Sequence, residues 1–195
     1  MPRYAACLVL ALALGCAFLV PAPARAQNVA FNLAQGRVSV TVPSTWQVMQ
    51  QGPQGAAELV LLALPGGKAV NSNDANALVL VTANAQGLDV AAFSTPALAQ
   101  HLAQPSTVVL ADETNGQWRT VYWVGMQGST QYMIADRFAA SGDLLVQCRV
   151  SWPLLSGDAS AVLIDQTNGM LSSLSLDGQQ APSGPLLSLE PLPAN

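Results

Sequence analysis

Short apolar runs, most of them too short for a helix, are the main pattern along this chain. Val38, Val40 and Val42 alternate with polar residues, and this period of two is typical of a strand with one buried face. Residues 58–64 and 77–83 are nearly continuous apolar runs, which indicates strands that are covered on both faces. The other segments predicted before residue 84 are a strand at 29–33, an extended segment from Trp46 and polar loops at 50–55 and 65–76.

The densest run of strand signals spans residues 108–152 and predicts successive antiparallel strands. Asn115-Gly116 stands between two apolar runs and favours a hairpin, because both turn residues tolerate positive φ. Gly128 and Gly142 mark the next two turns. The strands predicted in this stretch are 108–113, 118–125, 131–139 and 144–152.

The register of these strands sorts their side chains onto two faces. A turn at 126–129 places Arg119 opposite Asp136. A turn at 140–143 then places Asp136 near Gln147. One face is thus predicted to hold Arg119, Asp136, Gln147 and Arg149. The opposite face is predicted to hold Trp118, Tyr122, Val146, Cys148, Val150 and Trp152.

Residues 89–104 carry the first helical signals. Asp89 is predicted to cap one short turn, and Thr95 before Pro96 predicts a second helix start. Pro105 then ends the helix.

A second helix is predicted from a cap at Ser156 or Asp158 to about residue 174. Its apolar stripe has the spacing of a helix packed on a sheet. Gly169 lowers helix propensity and predicts a kink or an early stop. The stripe consists of Leu163, Thr167, Met170, Leu171 and Leu174.

The first 26 residues have the pattern of an export signal. Arg3 precedes an apolar run over residues 5–20, which is shorter than a membrane span, and residues 24–26 read Ala-Arg-Ala. We therefore predict cleavage after Ala26, which makes the mature protein periplasmic or secreted. Lipidation at Cys16 is the disfavoured alternative, because a small alanine stands three positions before it.

One domain is predicted over residues 27–176, followed by a disordered Pro/Gly/Ser-rich tail at 177–195. A partner-binding segment at Leu186-Leu187 and Leu189 is the disfavoured alternative for this tail. Two of the seven basic residues, Arg3 and Arg25, lie in the leader, so five remain against eleven acidic residues, a net charge near −6. This balance excludes a nucleic-acid binder, which needs clustered Lys and Arg. No stretch after the leader has the length of a membrane-spanning helix.

Reactive side chains are scarce. His101 is the only histidine, and Cys148 is the only cysteine after the leader. Nucleophilic catalysis and zinc binding both need more such partners. Residues 71–76 lack the acidic density of a calcium loop, and residues 66–68 lack the spacing of a phosphate loop. We therefore predict no catalytic residue, no metal site and no cofactor, and we interpret Cys148 as a buried thiol rather than a reactive one.

Arg119, Asp136 and Arg149 form the one polar group that could bind a ligand. A cross-strand ion pair at the border of the core is the structural interpretation. A patch that binds an anion or a carboxylate is the functional alternative, because arginine presents a rigid fork of donors.

Several phrases in this order resemble a known family. Residues 36–43 read Gly-Arg-Val-Ser-Val-Thr-Val-Pro before Trp46, a Trp- and Tyr-rich strand follows Asn115-Gly116, and residues 144–152 precede the last helix. Residues 31–174 are in these respects similar to the PsbP-like fold family, including its bacterial periplasmic DcrB-like branch. The resemblance implies an α+β fold, an antiparallel sheet with helices packed on both faces (an α/β/α sandwich). It also implies a non-enzymatic role in binding or assembly.

Our first functional hypothesis is therefore a non-catalytic exported (periplasmic) binding or assembly module that recognises another envelope protein. It predicts an exposed apolar or aromatic patch on one edge or face of the sheet. The alternative is a small-molecule carrier with a pocket between sheet and helix that Trp and Tyr side chains line.

Overall fold

The computed structural model describes residues 28–65, 76–154 and 158–183. Two helices lie in these ranges, α1 (Val90–Leu102) and α2 (Asp158–Ser173). The strands there are β1 (Val29–Leu33), β2 (Val38–Val42), β3 (Gln47–Gln54), β4 (Ala57–Ala63), β5 (Asn76–Ala83), β6 (Val108–Asn115), β7 (Trp118–Gln127), β8 (Thr130–Ser141), β9 (Leu144–Pro153), β10 (Ser175–Leu176) and β11 (Gln179–Gln180). Neither helix combines the length and the apolar content that crossing a membrane requires.

The main sheet has seven strands in the order β3-β4-β5-β9-β8-β7-β6, and every neighbouring pair is antiparallel. The hairpin predicted at Asn115-Gly116 joins β6 to β7, and Gly116 has a φ of 58° there. This left-handed backbone is accessible to glycine at no steric cost. The predicted run of antiparallel strands over residues 108–152 is therefore confirmed.

A smaller second sheet has the order β1-β2-β10-β11. Its last hairpin turns at Asp177-Gly178, so residues 177–183 are part of the fold, which differs from a disordered tail that begins at Asp177. Residues 184–195 lie outside the described part of the chain.

Arg37 fixes the β10–β11 hairpin, because its guanidinium donates to both carboxylate oxygens of Asp177 at 2.7 and 3.0 Å. It also donates to Asp143 in the β8–β9 turn at 2.8 Å, and its hydrogen bonds lower the pKa of both carboxyls.

Buried side chains form two clusters. The larger contains Tyr122 and Trp152 of the main sheet together with side chains of the small sheet and of α2. The smaller contains Val121 and Trp123, the residues that alternate with Tyr122 along β7, together with Leu98 of α1. The predicted stripe of α2 is buried throughout. The predicted α+β class, dominated by antiparallel sheet, is therefore confirmed.

Two local predictions were wrong. Strand β3 occupies residues 47–54, where a polar loop was expected over 50–55, because backbone pairing with β4 stabilises even this Gln-rich segment. Helix α1 is one continuous helix capped by Asp89, whose Oδ1 accepts from the Ala92 amide at 2.7 Å. Pro96 therefore lies inside the helix and does not start a second one. Helix α2, in contrast, ends at Ser173, close to the predicted end near residue 174, and does not stop at Gly169.

Candidate functional site

A buried ion pair lies at the centre of the polar group that the sequence indicated. Asp136 on β8 stands directly opposite Arg149 on β9. The Arg149 Nε and Nη2 donate to the two carboxylate oxygens at 2.7 and 3.0 Å. The Asp136 side chain is 0% exposed, whereas that of Arg149 is 25% exposed. This two-pronged geometry is the strong form of an arginine–carboxylate contact.

Trp123 completes this cluster on β7. Its indole Nε1 donates to Oδ2 of Asp136 at 2.9 Å, and the guanidinium carbon of Arg149 lies 6.0 Å from its ring centroid. The His101 ring, from the last turn of α1, lies 5.4 Å from the indole ring. The Asp136 carboxylate thus receives donors from two neighbouring strands, and its buried charge is compensated inside the protein.

Arg119 lies elsewhere, which corrects the predicted register. It pairs with Phe138, and Asp136 pairs with Val121 on the same strand, so the strands are shifted by two residues from the prediction. A two-residue shift keeps every side chain on its face, so Arg119 still shares a face with Asp136 and Arg149. Its partner, however, is Asp112 on β6, at 2.9 and 2.7 Å. The three predicted binding residues therefore belong to two separate ion pairs.

The Arg119–Asp112 pair joins the outer strands to α1. The Nη1 of Arg119, which does not contact Asp112, donates to the hydroxyls of Ser94 and Thr95 at 3.0 and 3.1 Å. Hydrogen bonding to Asp112 raises the pKa of Arg119, so the guanidinium is a permanent charge. All these contacts are internal, and they give Arg119 a structural role on this face.

We expect Arg119→Ala to lower the free energy of unfolding by about 1 kcal/mol, because the pair is partly exposed and water replaces some of the lost contacts. Urea unfolding followed by circular dichroism measures this change. Glu113→Ala, which removes an exposed carboxylate next to Asp112, is the matched control and should change stability by less than about 0.5 kcal/mol. An unfolding free energy unchanged in Arg119→Ala would contradict the structural role.

Two features of the described ranges bear on reactivity, the environment of the Cys148 thiol and the spacing of His, Cys, Asp and Glu side chains. The Cys148 thiol is fully buried, and burial raises its pKa to about 12, so it is protonated near neutral pH and inert. The buried interpretation of this cysteine is confirmed. Across the described ranges, no three His, Cys, Asp or Glu side chains approach one another as metal ligands do. Residues 66–68 and most of the 71–76 run lie outside these ranges, and Asn76 opens β5.

A cavity of about 320 Å³ lies between the end of β2 and α2. Gln166, one of its lining residues, accepts a hydrogen bond of 2.9 Å from Nε1 of Trp46. Neither Trp nor Tyr lines this cavity, which differs from the aromatic pocket that a carrier was expected to have. Its lining residues are Asn28, Thr41, Pro43, Thr45, Asp165, Gln166, Gly169, Met170 and Ser173.

Exposed apolar side chains gather at one end of the main sheet, next to the edge strand β6. Val108 pairs with Val124, and Met126 lies two residues further along β7. Met126 pairs with Gln131, whose carbonyl accepts from the Leu154 amide at 2.8 Å. We call Val108, Met126 and Leu154, which are 54%, 39% and 38% exposed, the apolar end surface.

Sequence reasoning did not identify this surface or the part played by Trp123. Both depend on which strand lies beside which, and periodicity within one strand does not contain that information. The signal that was available is the apolar run Val-Val-Leu-Ala at the start of β6, which is followed by four polar residues.

Comparisons with known proteins identify the fold. No family model matches the sequence, and no curated protein matches it. Among solved structures, the Ran-binding protein Mog1p of Saccharomyces cerevisiae matches with a TM-score of 0.50 at 13% identity, over 78% of this chain and 97% of Mog1p. The cyanobacterial PsbP (CyanoP) of Synechocystis matches with a TM-score of 0.51 at 12% identity, over 78% of this chain and 94% of CyanoP. This chain therefore has the PsbP-like fold that the sequence pattern indicated.

Proposed function

We propose that this protein is a non-catalytic, exported binding module that recognises another protein of the cell envelope. The apolar end surface carries this proposal. Its three residues lie at the same end of the main sheet, on β6, on β7 and directly after β9, where one partner can cover them together. Exposed apolar groups beside an unpaired strand edge are typical of protein–protein contact sites.

Two further observations support a binding role. The Asp136 carboxylate is buried, and its two oxygens accept hydrogen bonds from Arg149 and Trp123, which supports a structural role for this group. Mog1p, whose name describes it as a Ran-binding protein, shows that this fold can present a surface to a protein partner. The fold by itself does not determine the partner, which has to be argued from the site.

The proposed location and architecture follow from sequence and packing together. The leader pattern over residues 1–26 supports export, cleavage after Ala26 and placement in the DcrB-like branch. Val121 belongs to the buried cluster that contains α1, and its neighbour Tyr122 belongs to the cluster that contains α2. Because neighbouring residues of a strand point to opposite faces, this supports helices on both faces of the main sheet.

We expect Val108→Glu and Met126→Glu each to weaken binding of the envelope partner about tenfold or more, because each places a charge within a desolvated contact. The partner is first captured from envelope extract with a photo-crosslinker at position 154, and the affinity of each variant for the purified partner is then measured by calorimetry. Val48→Glu is the matched control, since Val48 is 44% exposed on the opposite edge strand β3.

If Val108→Glu and Met126→Glu bound the partner as tightly as Val48→Glu and the unsubstituted protein, the contact would lie outside the apolar end surface. Turnover by the purified protein that is abolished by a single substitution would show that the protein is an enzyme.

A further inference from the structure

Strand β6 forms one edge of the main sheet, and in the described part of the chain no strand pairs with its outer side. A bulge at the Val109–Ala111 register shift divides it into a short apolar start and a regular stretch of five residues, 111–115. Alternate N–H and C=O groups of that stretch point outward, where they are ready to pair with an added strand.

The described chain ends against this same strand. Pro182 lines a small cavity of about 70 Å³ together with residues of the β6–β7 hairpin. These residues are Glu113 and Asn115 on β6 and Trp118 and Thr120 on β7. The last described residue therefore follows a proline that lies at the C-terminal end of β6. A continuation that returns along β6 from this point runs antiparallel to it.

The sequence that follows has the length and composition of an edge strand. Twelve residues, 184–195, remain after this point. At about 3.3 Å per extended residue they reach about 40 Å, whereas the eight residues of β6 span about 27 Å. Residues 186–190 read Leu-Leu-Ser-Leu-Glu and lie between Pro185 and Pro191. Five residues are a typical strand length, and flanking prolines are tolerated at an outer edge.

We propose that the edge of β6 is the docking site of the chain's own C-terminal segment. Residues 186–190 add an antiparallel strand beside residues 111–115, and residues 191–195 extend toward the exposed valines at the start of β6. Leucine side chains on the added strand then cover part of the apolar surface at this edge. Under the proposed function the segment also competes with the envelope partner, and this last consequence alone rests on that function.

Amide hydrogen exchange tests the docking without any partner. The exported protein is compared with a variant that ends at Ser183. We expect the outward amides of residues 111–115 to exchange about tenfold or more faster in the shortened variant, because an added strand protects them. The amides of β3, the opposite edge, serve as the internal control and should exchange at the same rate in both proteins.

Two point variants locate the pairing segment. Leu187→Pro removes a backbone donor from inside the added strand and should accelerate exchange in β6 as shortening does. Leu192→Pro lies beyond that strand and should leave exchange unchanged.

Three results would overturn the proposal. Equal exchange of residues 111–115 in the exported and shortened proteins would show that the segment does not dock there. A similar change in β3 would show a global effect. Protection that increases with protein concentration would assign the edge to a second copy of the chain. Calorimetry of the Val108→Glu and Met126→Glu variants tests the proposed function, whereas hydrogen exchange tests the docking of the C-terminal segment. Either proposal can therefore fail without the other.

Discussion

Arg149→Met is expected to lower the free energy of unfolding by about 3–5 kcal/mol. The substitution keeps most of the side-chain volume but removes the charge that compensates Asp136. That carboxylate is 0% exposed and would keep only the indole donor of Trp123 at 2.9 Å and the amide of Gln147 at 3.5 Å. An uncompensated carboxylate in the interior is costly because water cannot reach it.

A double substitution distinguishes the cost of an uncompensated Asp136 charge from the cost of lost packing. Asp136→Leu/Arg149→Met removes both charges and should be more stable than Arg149→Met alone, since apolar pairs often replace buried ion pairs at little cost. Urea unfolding at neutral pH measures the free energy of unfolding of the unsubstituted protein, of Arg149→Met and of the double variant. Arg119→Met, in the partly exposed pair on the same face, is the control and should lose only about 1 kcal/mol. The interpretation fails if Arg149→Met loses no more than this control.

The apolar runs and turn signals of residues 108–152 were sufficient to predict these strands and the faces of their side chains. Successive side chains of a strand point to opposite faces, and Gly116 and Gly142 allow the tight turns, with φ values of 58° and 53°. The predicted register was two residues off because four residues were assigned to each turn. The turns contain two residues, since Gln127 pairs with Thr130 and Ser141 with Leu144. An even shift preserves the faces, so the grouping of Asp136 with Arg149 was still correct.

The partner of Arg119 was missed because only Asp136 was considered. In the β6–β7 hairpin Thr114 pairs with Arg119, which places Asp112 on the same face. Partners that are distant in the sequence could not be predicted from a hairpin, and the second sheet is the example. Arg37 contacts Asp177 across 140 residues, and β10 pairs with β2 through two residues. The Asp177-Gly178 turn carries the same hairpin signal as Asn115-Gly116, but strands of only two residues leave no periodicity to detect.

Gly125→Ala is expected to lower the free energy of unfolding by about 2 kcal/mol, within the range measured for overpacked cores. A Cβ at this position would lie 2.5 Å from Cζ3 and 3.1 Å from Cε3 of the Trp123 ring. The ring cannot move aside easily, because its Nε1 is bonded to Asp136 and His101 lies against its face. Gly125 does not have a positive φ, so the effect is steric and not a backbone preference.

Gly169→Ala is the matched control, with the opposite expected sign. Gly169 lies inside α2, and a Cβ there would meet nothing within 4 Å. Alanine should therefore stabilise the protein by about 0.5–1 kcal/mol through its better helix propensity. Both variants replace glycine by the same methyl group, so chemical denaturation of the pair isolates the space available at each site. If Gly125→Ala were as stable as Gly169→Ala, Trp123 would have to be free to move, and the buried cluster around Asp136 could not be the rigid centre of this face.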